Sequence, residues 1–238
     1  MSATLYAIGV GPGDPELLTL KSVRILKEVP CICVPKGREE GSSLALDIVS
    51  KAIDLKNKEI LQAHFPMKKT KSPEHIYSLD AKWHETVKII LSRLNKGLNI
   101  AFITIGDPTI YSTFFYLYDR LLELKPDLKI SILPGISSIN ASASSAAISL
   151  GLADEKIAII PATYTDNLKD IMNTFDTIVL MKVHKVLDKI ISILNELNLI
   201  DKSIYISNVG MKGEYICRDI RKLNKDELNY FSILIVKK

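Results

Sequence analysis

The chain has 238 residues, 47% of them apolar and 24% charged, with a formal net charge of +4. That length suits one large domain or two small ones, either able to bury a full core, and the charge is too small to argue for a nucleic-acid partner. No apolar run of about 18 residues predicts a membrane span, and three cysteines without metal spacing, Cys31, Cys33 and Cys217, fit a reduced, cytoplasmic protein.

The opening MSATLYAIGVG has neither a basic n-region nor a long apolar h-region, so it reads as a core strand and not as a signal peptide. The strand, residues 5–10, runs into Gly11-Pro12-Gly13-Asp14-Pro15 and then a helix over 15–28. Asp14 suits the N-cap and Pro15 the first helical position, and Leu17, Leu20, Val23 and Leu26 keep to one helical face. A strand over 30–34 follows, with Cys31 and Cys33 two apart and so on one face. Gly41-Ser42-Ser43 opens a helix with Leu44, Ile48, Ala52 and Leu55 in register. After the polar stretch HFPMKKTKSPEH, a long helix begins at Ser72-Pro73. Its stripe is Ile76, Leu79, Trp83, Val87, Ile90 and Leu94, and Gly97 stops it.

The next strand, 100–105, enters Gly106-Asp107-Pro108 and a helix to about 124, with a domain boundary expected at 113/114. The second half opens with a strand over 129–133, then Pro134-Gly135-Ile136-Ser137-Ser138 and an Ala- and Ser-rich helix to about 150. Strands are predicted over 156–160 and 177–183, a helix over 185–197, and strands over 203–207, 214–219 and 231–236. Helix–strand alternation gives way to a strand-rich tail, which predicts an α/β first domain (1–113) joined to a mixed-sheet α/β second domain (114–238).

Three strand ends therefore carry glycine turns. A dinucleotide fingerprint needs a third glycine where Asp14 stands, and a carboxylate at that helix start competes with a phosphate. A Walker loop needs Gly-Lys-Ser/Thr, which is absent from these turns. Brought to the same edge of two sheets, the three turns would line a crevice with backbone N–H and C=O groups. Such a lining suits a neutral or zwitterionic ligand with adenine, ribose and amino-acid parts.

On Gly9-Val10-Gly11-Pro12-Gly13-Asp14, on Gly106-Asp107-Pro108 with Tyr111, and on Pro134 to Ser138, the chain resembles the tetrapyrrole (corrin and porphyrin) methylases. These enzymes use S-adenosylmethionine and release S-adenosylhomocysteine. Within that family it is most similar to members that methylate carbon 20 of precorrin-2 or cobalt-factor II in cobalamin biosynthesis, on PELLTLKSVRIL, GDPTIYSTF and the segment with His64-Phe65-Pro66-Met67. The resemblance implies a two-domain α/β fold with the ligand cleft between the domains, in a homodimer. It implies donor contacts at Pro12, Ile105, Gly106, Asp107, Ile110, Ser137, Ser138, Met181 and Val209. The tetrapyrrole side would take Gly11, Gly13 and Asp14, with Lys36 and His64. Alternatives are another tetrapyrrole methylase, acting on uroporphyrinogen III or a later precorrin, or a non-catalytic nucleotide- or tetrapyrrole-binding protein.

In this chemistry an electron-rich ring carbon attacks a sulfonium methyl group, so alignment and water exclusion do much of the work. The ring carbon must then lose a proton, and Asp107 and Tyr111 are the candidate acceptors. The competing reading of Asp107 is a helix cap or a donor-binding group. Lys68, Lys69 and Lys71, with Lys36 and Arg38, suit substrate carboxylates or plain solvated surface. His64, His75, His84 and His184 lack the spacing of a zinc site, and no protein-bound metal is expected.

Overall fold

The computed structural model describes residues 3–36, 43–64, 73–164, 167–224 and 228–238, with side chains described except at 36, 64, 73–82 and 164. Arg38, Phe65, Pro66, Met67, Lys68, Lys69 and Lys71 lie outside the described residues, as do the side chains of Ile76 and Leu79. The chain divides into Met1–Ser137 and Ser138–Lys238.

The first unit is a five-stranded sheet of β1 (Thr4–Gly9), β2 (Cys31–Lys36), β3 (Glu59–His64), β4 (Ile100–Thr104) and β5 (Lys129–Leu133). Their order is β3-β2-β4-β1-β5 and every pairing is parallel. Parallel strands need crossovers, supplied by α1 (Leu20–Glu28), α2 (Leu44–Ala52), α3 (Pro73–Asn95) and α4 (Phe114–Leu124). The pleat sorts side chains by parity. Ile8, Val10, Ile32, Val34, Ala101 and Ile103 meet Ile25 and Leu26 of α1 and Ile48 and Val49 of α2. Leu5, Ala7, Cys31, Cys33, Leu61 and Phe102 meet Val87 and Ile90 of α3 and Phe114 and Leu117 of α4. The rings of Phe102 and Phe114 sit 5.3 Å apart, and losing either to Ala costs about 3–5 kcal/mol.

The local signals of the sequence are visible at the helix ends. Asp14 caps a 3-10 turn at Pro15–Leu17. The expected single helix then breaks, and Thr19 starts α1 by accepting a bond from Ser22 N–H at 3.1 Å. At the other end of α1, Lys58 Nζ donates to the carbonyls of Lys27 and Val29 at 2.9 and 2.7 Å. The helix α2 stops at Ala52, so Leu55 lies beyond it.

The boundary falls at 137/138 and not at 113/114, because β5 pairs with β1 from Thr4↔Lys129 to Ile8↔Leu133 and keeps α4 and β5 with the first sheet. The second unit holds α5 (Ser138–Ser145), β6 (Ile157–Pro161), α6 (Leu168–Thr174), β7 (Thr177–Met181), α7 (Leu187–Glu196), β8 (Ser203–Ser207), β9 (Tyr215–Cys217) and β10 (Ser232–Lys237). Its sheet, in order β6-β7-β10-β8-β9, is mixed as expected, with β6 parallel to β7 and β10 antiparallel to both β7 and β8. Leu180, Tyr205, Leu234 and Val236 meet Leu168 and Met172 of α6 and Ile190 and Leu194 of α7. Among the described residues no helix is long and apolar enough to cross a membrane.

Candidate functional site

In the first unit β4, β1 and β5 are neighbours and run the same way, so the turns that follow them leave one carboxyl edge side by side. The turns interlock backbone to backbone. Val10 N–H donates to Thr104 O at 2.9 Å, and Gly106 N–H donates to Gly11 O at 2.8 Å. The third turn packs against both of the others: a Cβ placed on Gly9 would lie 2.5 Å from Gly106 O and 2.7 Å from Gly135 N, and one on Gly135 would lie 2.4 Å from Gly106 O. No side chain fits there, which is why glycine stands at both 9 and 135. Gly106 adds a left-handed φ of 72°.

Two of the turns use the same device. In Gly13-Asp14-Pro15 the Asp14 carboxylate accepts from Glu16 N–H at 2.9 Å. In Gly106-Asp107-Pro108 the Asp107 carboxylate accepts from Thr109 N–H at 2.7 Å and from the Thr109 hydroxyl. Each is an Asx turn, in which a carboxylate takes the place of a backbone acceptor. Asp107 goes further: its other oxygen accepts from Gly135 N–H at 3.0 Å, joining the second turn to the third. Ser112 anchors the chain beyond, donating to Thr104 Oγ1 at 3.3 Å and accepting from Phe114 N–H at 3.1 Å. Sequence reasoning did not single out Thr104, Thr109 or Ser112; the Asp-Pro-Thr triplet is the signal that could have found Thr109.

This edge gathers Gly11, Pro12, Gly13, Asp14, Ile105, Gly106, Asp107, Ile110 and Tyr111 with the turn that ends in Ser137. Pro12, Gly13 and Ser137 are buried, while Tyr111 is 48% exposed and holds a left-handed φ of 51°. Strained backbone of this kind concentrates at functional sites. Lys36 and His64 close β2 and β3 in register with each other at the same edge, and their side chains lie outside those described. Ser138, Met181 and Val209 belong to the second unit. Met181 ends β7 and Val209 follows β8, two strands that flank β10 and point the same way. Lys182 and Asn208, the next residues after those strands, are both left-handed, at φ 60° and 53°. His184 lies nearby, its imidazole pKa held below the ordinary value first by burial and then by Lys185.

Burial is also what pushes the Cys31 thiol up to about 12, with the Glu59 carboxylate adding to it, and it raises Cys33 as well. Both sit on one face of β2 inside the core, so they are packing residues and not nucleophiles. Among the described residues no group of three His, Cys, Asp or Glu side chains is placed to hold a metal ion.

A parallel sheet whose carboxyl edge is built from interlocked glycine turns places the chain among α/β proteins that take small ligands at that edge. The chain belongs to the family described as Tetrapyrrole (Corrin/Porphyrin) Methylases, whose sequence profile matches residues 4–222. It is 31% identical to the cobalt-precorrin-2 C(20)-methyltransferase of Salmonella typhimurium, over 100% of this chain and 98% of that protein. It is 35% identical to the probable cobalt-precorrin-2 C(20)-methyltransferase of Methanocaldococcus jannaschii, over 98% of this chain and 96% of the other. In fold it is similar to the solved cobalt precorrin-4 methyltransferase, with a TM-score of 0.75 and 19% identity over 98% of this chain and 94% of that one. The solved uroporphyrin-III C-methyltransferase of Thermus thermophilus, complexed with S-adenosyl homocysteine, has a TM-score of 0.66 at 18% identity, covering 99% of this chain and 98% of that one.

Proposed function

We propose that the chain transfers the methyl group of S-adenosylmethionine to carbon 20 of a precorrin-2-type ring in cobalamin biosynthesis. The observation that carries this reading is the end-to-end likeness, at 31% and 35% identity, to two proteins named as C(20)-methyltransferases of cobalt-precorrin-2. Their names favour the cobalt-bearing ring, such as cobalt-factor II, over metal-free precorrin-2. The S-adenosyl homocysteine in the uroporphyrin-III enzyme of the same fold supports the donor.

The proposed donor contacts are Pro12, Ile105, Gly106, Asp107, Ile110, Ser137, Ser138, Met181 and Val209, and the proposed ring contacts are Gly11, Gly13, Asp14, Lys36 and His64. In the reaction the ring carbon supplies an electron pair to the methyl carbon. The S–CH3 bond breaks as the C–CH3 bond forms, and its electron pair returns to sulfur, leaving a neutral thioether. Charge is dispersed on the way, so the chain contributes alignment on rigid turns and exclusion of water. The ring carbon then sheds its proton toward solvent. Tyr111, half-exposed at the turn, is the proposed relay: its phenol oxygen takes that proton as its own passes to water. The three cysteines are free thiols, which supports a reducing cytoplasm as the compartment. Phe115 and Tyr116, 40% and 68% exposed on α4, support a homodimer, measurable by light scattering.

The test is incubation with methyl-labelled S-adenosylmethionine and cobalt-factor II or precorrin-2. The expected product is singly methylated at carbon 20 by mass spectrometry and NMR. Label at another carbon points to a different tetrapyrrole methylase activity, and donor binding without any turnover overturns the reading.

A further inference from the structure

We propose that Asp107 is a positioning residue for the methyl donor and not the acceptor of the substrate's proton. Its carboxylate offers about four acceptor sites on two oxygens. Three donors already occupy it: Thr109 N–H and the Thr109 hydroxyl on Oδ1, and Gly135 N–H on Oδ2. Both oxygens are turned into the loops they join. A base for a ring carbon needs an oxygen aimed at that carbon within hydrogen-bond reach, and this carboxylate is committed elsewhere.

What it joins is informative. The turn after β4 is fixed to the turn after β1 by the pair Gly106 N–H to Gly11 O at 2.8 Å and Gly11 N–H to Gly106 O at 3.4 Å. The turn after β5 has no such backbone ladder to the turn after β4 among the described bonds. It is held at close range by the bare backbones of Gly9 and Gly135 and tied by the Asp107–Gly135 bond. The side chain at 107 therefore converts two turns into one rigid piece, and it fixes where the segment from Gly135 to Ser137 presents its backbone and hydroxyl. Charge-assisted bonds of this kind are shorter and stronger than neutral ones, and a site held by them is preorganised before the ligand arrives.

This inference rests on the methyl-donor reading above, and the experiment separates the two. Measure S-adenosylhomocysteine affinity by calorimetry, donor KM and kcat by turnover, and Gly135 amide exchange by NMR, in the wild type and in Asp107→Ala, Asp107→Asn and Thr109→Val. Asp107→Ala is expected to weaken S-adenosylhomocysteine and raise donor KM about ten- to hundredfold, the size of losing hydrogen bonds to a charged group. At saturating donor, kcat should stay within about threefold. Gly135 exchange should accelerate. Asparagine keeps one acceptor oxygen, enough for Thr109 or for Gly135 but not both, and should recover part of the affinity. Thr109→Val keeps the Gly135 bond and should change exchange there little. Where Asp107→Ala does not fold, Asp107→Asn carries the same readouts. A loss of kcat of about a hundredfold or more with unchanged S-adenosylhomocysteine affinity makes Asp107 a proton-transfer group and overturns the proposal, as does unchanged Gly135 exchange. A wild type that binds no S-adenosylhomocysteine removes the donor reading, and Gly135 exchange then judges the tie alone.

Discussion

Replacing Gly9 with alanine tests the glycine junction directly. Gly9 has an ordinary strand backbone, so the substitution adds only one methyl group. That methyl would sit 2.5 Å from Gly106 O, 2.7 Å from Gly135 N and 2.8 Å from Gly135 Cα, where ordinary contact begins at 3.4 Å. All three neighbours are backbone, and two bonds hold them: Gly106 N–H to Gly11 O at 2.8 Å and Gly135 N–H to Asp107 at 3.0 Å. They cannot retreat the way a long side chain would. Overpacking typically costs about 1–3 kcal/mol, and rigid surroundings place this site near 3. With a urea m-value of about 2 kcal/mol/M the midpoint should fall by about 1.5 M. Trp83, the single tryptophan, lies on α3 in the first unit, so its fluorescence reports unfolding of that unit alone. Gly97→Ala is the control. It has φ +80 and nothing within 4 Å of the added Cβ, so it measures the left-handed backbone cost alone, about 1–2 kcal/mol. If Gly9→Ala shifts the midpoint no more than Gly97→Ala, the three turns are not packed as described.

Tyr111→Phe should lower kcat about ten- to a hundredfold with little change in donor KM, because it removes the proposed proton relay and keeps the ring; equal kcat removes Tyr111 from proton handling. Lys58→Met should destabilise the first unit by about 1–2 kcal/mol in the same fluorescence assay, since two carbonyls at the end of α1 lose their donor. Cys31 supplies a pH prediction. Its thiol keeps its proton in the fold up to about 12, against an ordinary value of 9.0, so between those values the unfolded chain binds fewer protons than the folded one. Stability should therefore be full below pH 9 and fall as pH rises toward 12, and Cys31→Ser should flatten that slope in urea titrations at alkaline pH. With Cys31, Cys33 and Cys217 all buried, an aromatic disulfide reagent at neutral pH should label the native protein slowly and take up three equivalents on unfolding.

Features set by neighbouring residues were the ones legible in the sequence. Asp14 before Pro15 gives a cap and a first helical residue, and the structure has both. Cys31 and Cys33 share the face toward α3 and α4 because a strand alternates. Val87, Ile90 and Leu94 are the buried stripe of α3. That the three glycine turns gather at a strand edge was legible; that a single sheet carries all three was not, because it depends on β4, β1 and β5 being parallel neighbours. Features set by distant pairing were not legible. Among the described side chains β3 buries Leu61 and Ala63 in the core it shares with α3, too weak an alternation to stand out beside the polar stretch that follows. α6 has seven residues, fewer than the two turns a helical period needs to show. α5 was expected to reach about 150 but stops at Ser145 because Ala147 takes a left-handed φ of 51° without a glycine to announce it. β7 likewise ends at Met181 and not 183, where Lys182 turns left-handed. The domain boundary moved for the same reason: nothing near residue 113 records that β5 will pair with β1.

The position of β1 bears on how the protein is made. It lies between β4 and β5 in the finished sheet, and Thr4 reaches its partner Asn99 across 95 residues. Ribosomes add about 5–20 residues each second, so the first strand emerges roughly 5–20 seconds before its neighbour exists, while a chain collapses in well under a millisecond. For that interval its apolar residues Leu5, Ala7 and Ile8 have no native seat, and the first unit cannot close until translation has passed β5. A nascent chain stalled before residue 100 should therefore be a client for a holding chaperone, and one stalled well beyond residue 133 should not.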